Sequence, residues 1–169
     1  IWLAKHFRNS GYRVAIILRG YKRKAKSETG IVSDGTKTLL SPEESGDEAF
    51  MIALELPEIP VLVSKNRYKA GIEAIRKWKT QVIILDDGFQ HQQLKRDLDI
   101  VVIDSTRPFG NGQMLPAGIL REPKRSLQRV DLLLLTHTNS ISNLSQIRSK
   151  IETIAGQKTI FESQYHPTK

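Results

Sequence analysis

The sequence predicts an α/β fold of three layers, in which helices cover both faces of a mainly parallel sheet. Residues 82–85, 100–103 and 132–135 are runs of consecutive branched aliphatic side chains, which is typical of strands buried on both faces. Amphipathic helical segments, predicted at 67–78 and 143–155, alternate with such runs. Because strands that take turns with helices form parallel sheets covered on both sides, these two observations together predict the fold class.

The other elements follow in chain order. Residues 1–10 place Ile1, Ala4 and Phe7 at helical spacing before Gly11, so the chain is expected to open in a helix. Two S-x-x-E patterns, at 41–44 and 45–48, predict that a helix starts near there. Strands are predicted at 12–18, 60–64 and 158–163, the last with the alternative of a linking segment, and a hairpin is predicted within 31–40.

Composition restricts the class of protein. The hydrophobic content of 39% suits one soluble globular core, and the absence of cysteine excludes disulfides and thiolate metal sites. No apolar run approaches the roughly 20 residues that span a bilayer. The net charge of +8 indicates an anionic partner, such as a phosphate, a nucleic acid or an acidic lipid surface. The basic segment 19–26 has no interleaved aromatic residue beyond Tyr21, so we expect phosphate rather than nucleic acid.

Charged and polar residues follow the predicted strands at the point where each strand ends. Arg19, Asp86, Asp87, Asp104 and His137 all occupy such positions, and open parallel sheets form their sites at the carboxyl ends of strands. Two adjacent carboxylates repel each other unless a cation lies between them, which predicts a divalent metal at the aspartate pair. A single strand-end aspartate often caps the next helix instead, and this is the role expected for Asp104.

Four aliphatic residues followed by Asp86 have the form of a Walker B strand, whose carboxylate holds Mg²⁺ beside nucleotide phosphates. That interpretation requires a phosphate loop, G-x-x-x-x-G-K-[ST], and none is present in these residues. The chain begins with Ile1 inside a helix that leads into a strand. We therefore expect the residues upstream of Ile1 to read as a short apolar strand followed by GGTGKT or a close relative.

Five motifs make the interpretation specific. DDGFQH at 86–91 is followed by DLDIVVID at 97–104 and FGNGQMLPAGILREP at 109–123, while RGYKRK at 19–24 and GDE at 46–48 come earlier. Together they resemble the tetraacyldisaccharide 4'-kinase family, the lipid A 4'-kinases of Gram-negative bacteria, over residues 1 to about 137. The resemblance implies a P-loop kinase core in 1–137, and in 138–169 the end of that core with the start of a linker or C-terminal domain.

The resemblance also implies the reaction. The family transfers the γ-phosphate of ATP to the 4'-hydroxyl of a tetraacylated disaccharide 1-phosphate, giving lipid IVA, and it requires Mg²⁺. The implied partners are this lipid A precursor and an anionic membrane surface, at the cytoplasmic face of the inner membrane. The implied site residues are Asp47 as general base with His91 and Arg121 as further catalytic residues, Arg19, Gly20 and Tyr21 for ATP, and Asp86, Asp87 and Glu122 for the metal.

Each assignment has a structural alternative. Asp47 also suits the positive end of a helix, His91 could be a packed loop histidine, and Arg121 with Glu122 could form a surface ion pair. Leu18 stands where the family commonly has serine. The family's P-loop, membrane-associated helix and downstream histidine lie outside these residues, so the segment alone is expected to be inactive. Alternative functions are a P-loop kinase or ATPase with another substrate, and a phosphate-binding module without catalysis.

Overall fold

The computed structural model describes residues 1–20 and 27–164, which divide into two compact units, Ile1–Gly88 and Phe89–Lys169. The first unit contains α1 (Trp2–Asn9), β1 (Val14–Leu18), β2 (Thr29–Ser33), α2 (Pro42–Ser45), α3 (Asp47–Glu55), β3 (Val61–Ser64), α4 (Arg67–Trp78) and β4 (Val82–Leu85). The second contains β5 (Ile100–Asp104), a 3₁₀ helix (Lys124–Arg129), β6 (Leu132–Thr136), a short 3₁₀ turn (Thr138–Ser140), α5 (Leu144–Ala155) and β7 (Thr159–Glu162).

The first unit has a four-stranded sheet of order β2-β3-β1-β4. β1 lies parallel to β3 and to β4, whereas β2 pairs antiparallel with β3. The predicted strands and the predicted helix at 67–78 are confirmed. The hairpin prediction is only partly right, because the turn at Asp34-Gly35 returns through one isolated bridge between Ser33 and Thr38, and the ladder partner of β2 is β3.

Alternate residues of β1 enter two different cores. Val14, Ile16 and Leu18 pack in the cluster that contains side chains of α1 and α3, whereas Ala15 and Ile17 pack with α4. Successive side chains of a strand point to opposite faces, so the fully apolar sequence of β1 requires cover on both sides. The first unit therefore has the three layers that the sequence predicts.

The start of the helical segment after residue 40 agrees with one of the two capping patterns. The Glu44 carboxylate accepts a hydrogen bond from the Ser41 amide at 3.0 Å, which forms half of a capping box on α2. The second pattern does not act as a cap: Ser45 donates its hydroxyl to the carbonyl of Ser41 at 2.7 Å, and Gly46 precedes α3 without a side-chain cap. Ser45 belongs to α2, so its hydroxyl is engaged with the preceding turn.

The second unit has a three-stranded parallel sheet of order β5-β6-β7. One face packs against the 3₁₀ helix and α5, around Leu133, Leu135 and Ile151. On the other face, Val102 and Phe161 are 59% and 54% exposed. The parallel pairing predicted for this strand is confirmed.

No helix among the residues that the structure describes is long and apolar enough to cross a membrane. The strand after α5 is confirmed as β7. The prediction of a boundary near residue 137 concerns the organisation of the whole protein and stays a prediction.

Candidate active site

The aspartate pair lies in the sharp turn that follows β4. The Asp86 amide donates to the carbonyl of Ile17 at 3.0 Å, which extends the pairing of β4 with β1 by one residue. Asp87 then adopts a left-handed conformation with φ 49°, an uncommon state for a residue other than glycine. A Cβ atom at Gly88 would lie 2.8 Å from Cβ of Leu85. The turn therefore requires glycine after the two carboxylates, which explains the D-D-G order.

A buried arginine lies beneath this turn. Arg67, the first residue of α4, is 3% exposed and donates to the carbonyls of Ser64 at 2.5 Å and Asp86 at 3.4 Å. Burial lowers the pKa of Arg67, the charge of Arg19 lowers it further, and Asp87 and Asp86 oppose this shift. The sequence analysis missed Arg67, although its position just after a buried strand is the kind of signal that selected the other candidates.

Arg19 and Gly20 lie at the same edge of the sheet as the aspartates. They directly follow β1, which lies between β3 and β4, and both neighbours run parallel to it. Gly20 has φ 68°, the left-handed region where glycine carries no steric cost. Tyr21, the third residue predicted to bind ATP, lies outside the described residues.

Asp47 is the exposed first residue of α3, directly after Gly46 with φ 89°. The helix packs on the sheet and runs through residues 56–60 into β3. Since a helix that leads by a short connection into a strand runs opposite to it, Asp47 lies toward the carboxyl end of β3. This placement suits a general base, and a carboxylate in the first turn also suits the helix dipole, so both interpretations of Asp47 stay open.

In the second unit, two arginines hold the backbone of the segment that contains His91. Arg129 donates to the carbonyl of Phe89 at 3.1 Å, and Arg96 donates to the carbonyl of His91 at 2.6 Å. Arg96 is itself held by Asp99 through two contacts of 2.6 and 3.1 Å. His91 is half-buried in this loop, so the structure fixes its backbone through arginines that the sequence analysis did not select.

Glu122 forms a two-point ion pair with Arg129. Each carboxylate oxygen lies 2.7 Å from a different terminal nitrogen of the guanidinium group. This hydrogen bonding, with a further contribution from Ser126, lowers the pKa of Glu122 despite the opposing effect of burial. Arg121, its neighbour, is exposed. Glu122 therefore has a partner in Arg129 without a metal ion, and its predicted metal role stays a prediction.

Asp104 and His137 meet at the ends of the neighbouring strands β5 and β6, where Oδ1 of Asp104 lies 3.3 Å from Nδ1 of His137. The same oxygen accepts hydrogen bonds from the hydroxyl and amide of Thr106 at 2.8 and 2.9 Å, and these bonds lower the pKa of Asp104. A turn and not a helix follows. The prediction that Asp104 caps a helix is therefore wrong, because its carboxylate closes a turn at Thr106.

The donor chemistry of the aspartate turn fits Mg²⁺. This ion takes oxygen ligands, and proteins commonly supply one or two carboxylates while water and substrate phosphates complete the octahedron. Within residues 1–20 and 27–164, no group of three or more metal-ligating side chains gathers at one place. Asp86 and Asp87 are the two adjacent carboxylates at this turn that could supply such ligands.

Charged groups at the carboxyl ends of parallel strands, on a sheet with three layers, define an open α/β protein with its site at the strand ends, an arrangement that P-loop kinases share. The structure is similar to the crystal structure of LpxK from Aquifex aeolicus in complex with ATP, with a TM-score of 0.74 and 30% identity, over 99% of this chain and 68% of that one. The sequence model of the family described as tetraacyldisaccharide-1-P 4'-kinase matches residues 1–169. The chain belongs to the tetraacyldisaccharide 4'-kinase family, so the predicted family and fold class are confirmed.

Two curated relatives support this assignment. The tetraacyldisaccharide 4'-kinase of Syntrophus aciditrophicus is 50% identical over 137 residues, which cover 80% of this chain and 37% of the relative. That of Syntrophobacter fumaroxidans is 42% identical over 165 residues, which cover 98% of this chain and 43% of the relative. The chain thus spans about two fifths of the length of these relatives.

Proposed function

We propose that the whole protein transfers the γ-phosphate of ATP to the 4'-hydroxyl of a tetraacyldisaccharide 1-phosphate, forming lipid IVA. The observation that carries the proposal is the family match over residues 1–169, together with an aspartate pair at the carboxyl edge of the first sheet. The solved relative contains ATP, which supports ATP as the phosphate donor of this protein as well.

Asp86 and Asp87 would hold Mg²⁺ in this reaction. When bound, the ion neutralises charge on the phosphate oxygens during transfer. Arg67 holds the backbone of Asp86 in place, so the position of the aspartate turn relative to β3 depends on it. Arg19 adds positive charge at the same edge, and with Gly20 and Tyr21 it is proposed to contact ATP.

Asp47 is proposed to accept the proton of the 4'-hydroxyl. Its carboxylate is exposed and lies in the first turn of α3, where solvent and substrate have access. His91 and Arg121 are proposed to contact the transferring phosphate. Glu122 is proposed to support the metal site, and Arg129 contacts both of its oxygens while each oxygen keeps a further lone pair for a ligand.

The loop before Arg121 supports the proposal of a membrane-bound substrate. Met114, Leu115 and Ile119 are 46%, 61% and 52% exposed, and Arg125 near them is also exposed. An apolar loop with a neighbouring cation suits an acidic bilayer surface, because the apolar side chains enter the interface while the arginine meets the headgroups. We place the enzyme at the cytoplasmic face of the inner membrane, where ATP and the acylated substrate meet.

A lipid phosphorylation assay on the whole protein tests the function. The unmodified protein should convert the disaccharide 1-phosphate to a bisphosphate in the presence of ATP and Mg²⁺, as read by mass spectrometry. Asp87→Asn should lower the rate by orders of magnitude and leave thermal unfolding nearly unchanged, since this exposed side chain is outside the core. Asp104→Asn, at the end of another strand, is the matched control and should retain activity. Absence of lipid phosphorylation by the unmodified protein would contradict the proposal.

A further inference from the structure

One guanidinium group joins two of the motifs in the second unit. Arg129 ends the 3₁₀ helix, and its two terminal nitrogens each lie 2.7 Å from an oxygen of Glu122. The planar fork of arginine matches a carboxylate at both oxygens, which makes such a pair shorter and more directional than one with lysine. Glu122 therefore has a fixed orientation even without a metal ion.

The same guanidinium group also contacts the DDGFQH motif. It donates to the carbonyl of Phe89 at 3.1 Å, and its central carbon lies 3.7 Å from the centre of the Phe89 ring. A cation over an aromatic face gains electrostatic attraction, and the flat guanidinium also packs well there. Arg129 thus holds the backbone two residues before His91.

The ion pair between Arg129 and Glu122 is partly sheltered from solvent. The side chain of Glu122 is 16% exposed, and the Nε atom of Arg129 is buried without a hydrogen-bond partner among the described residues. Breaking a sheltered ion pair costs more than breaking an exposed one, because the remaining charge stays poorly solvated. Arg148 offers a contrast in the same unit: it also contacts two carboxylates, those of Glu152 and Glu162, but in an exposed position.

We propose that Arg129 is a positioning residue of the phosphotransfer site. It holds the segment with His91 and the segment with Arg121 and Glu122 in one fixed arrangement, without itself contacting substrate. The proposal rests on the proposed function for the roles of His91, Arg121 and Glu122. The contact of Arg129 with both segments does not depend on that function, so it can be tested without catalysis.

The first experiment measures the link without catalysis. Hydrogen–deuterium exchange on the whole protein, without nucleotide, compares Arg129→Met with Arg148→Met. Arg129→Met should speed exchange in both 89–94 and 119–124, whereas Arg148→Met should speed exchange only around α5 and β7. Unchanged exchange in 89–94 for a folded Arg129→Met protein would overturn the proposal. If Arg129→Met does not fold, exchange in 89–94 and 119–124 is measured instead for Arg129→Lys, which keeps the charge but loses the two-point contact. Faster exchange in both segments is again the expected result.

The second experiment measures the consequence for the reaction. Substitution of a group that orients a ligating or catalytic residue costs about 10- to 100-fold in activity or metal affinity. Arg129→Met should therefore lower kcat and raise the Mg²⁺ concentration for half-maximal rate, with KM for the lipid little changed, and Arg129→Lys should recover part of the loss. Arg148→Met should match the unmodified enzyme in all three quantities.

A double variant separates positioning from general stability. If Arg129 acts through Glu122, Glu122→Gln combined with Arg129→Met should lower kcat no further than the more damaging single change. Fully multiplicative losses, or a kcat of Arg129→Met equal to that of the unmodified enzyme, would overturn the inference. Failure of the proposed function is distinguishable, because then the unmodified protein would phosphorylate no lipid while the exchange result would still stand.

Discussion

Arg67 donates a hydrogen bond to the main-chain oxygen of Asp86 and thereby connects the ends of two strands that do not pair with each other. Its other contact is the carbonyl of Ser64 at the end of β3, while Asp86 follows β4, and β1 lies between them. Arg67, at the start of α4, thus fixes the aspartate turn relative to the carboxyl end of β3.

Arg67→Met is expected to destabilise the protein because it removes the guanidinium donor from the carbonyls of Ser64 and Asp86, at a cost of about 2 to 4 kcal/mol in the free energy of unfolding. Arg76→Met is the control, since Arg76 is an exposed arginine of the same helix and should change stability by less than about 0.5 kcal/mol. Denaturant unfolding of both variants measures the difference. Equal stability of the two would show that Arg67 does not support the turn.

Asp47→Asn tests the general base. Asp47 is exposed in the first turn of α3, where loss of its interaction with the helix dipole costs only about 0.3 to 1 kcal/mol, so the variant should fold and bind ATP normally. Loss of a general base lowers the chemical rate by about 10² to 10⁴. Glu48→Gln, which changes the neighbouring acid of the same helical turn, should transfer phosphate at the normal rate. Single-turnover kinetics with thermal unfolding measure both effects. Near-normal transfer by Asp47→Asn would leave only the helix-dipole role.

Asp34 provides a test of pH dependence. Hydrogen bonds from the Thr36 hydroxyl and from the amides of Lys37 and Thr36 lower the pKa of Asp34 to about 2. The folded-state pKa lies below the unfolded value of about 3.9, so its stabilising effect is present above that value and is lost as pH falls toward 2. Thr36→Val removes the largest contribution and should raise the pKa, which carboxyl NMR titration detects. An unchanged midpoint would contradict the assignment.

The loop that contains Leu115 and Ile119 is expected to contact the membrane. Leu115→Ser combined with Ile119→Ser should weaken sedimentation of the whole protein with vesicles that contain acidic phospholipid, because two exposed apolar side chains are removed from the interface. Leu98→Ser is the control, since Leu98 is 53% exposed in the same unit but lies outside this loop. Equal binding by the double variant and the control would exclude the loop as a contact surface.

Sequence reasoning predicted most elements because their signals are local. The aliphatic runs of β1, β4 and β6 and the amphipathic pattern of α4 follow from side-chain periodicity alone. The strand-end position of Asp86 and Asp87 is equally readable, since a polar pair after an aliphatic run marks where a buried strand stops. The two S-x-x-E patterns correctly predicted a helix start near 41–48, but the pattern does not show which turn a serine contacts, and the Ser45 hydroxyl donates backward to Ser41.

Local sequence patterns were enough to predict the α/β class, the parallel strands, the family motifs and the carboxylates at strand ends. The groups that support these carboxylates and loops became visible only in the folded chain: Arg67 beneath Asp86, Arg96 at His91, and Arg129 between Glu122 and Phe89. This difference arises because strand and helix signals come from neighbours along the chain, whereas an arginine can contact a carbonyl that is distant in sequence, as far as 40 residues away for Arg129 and Phe89.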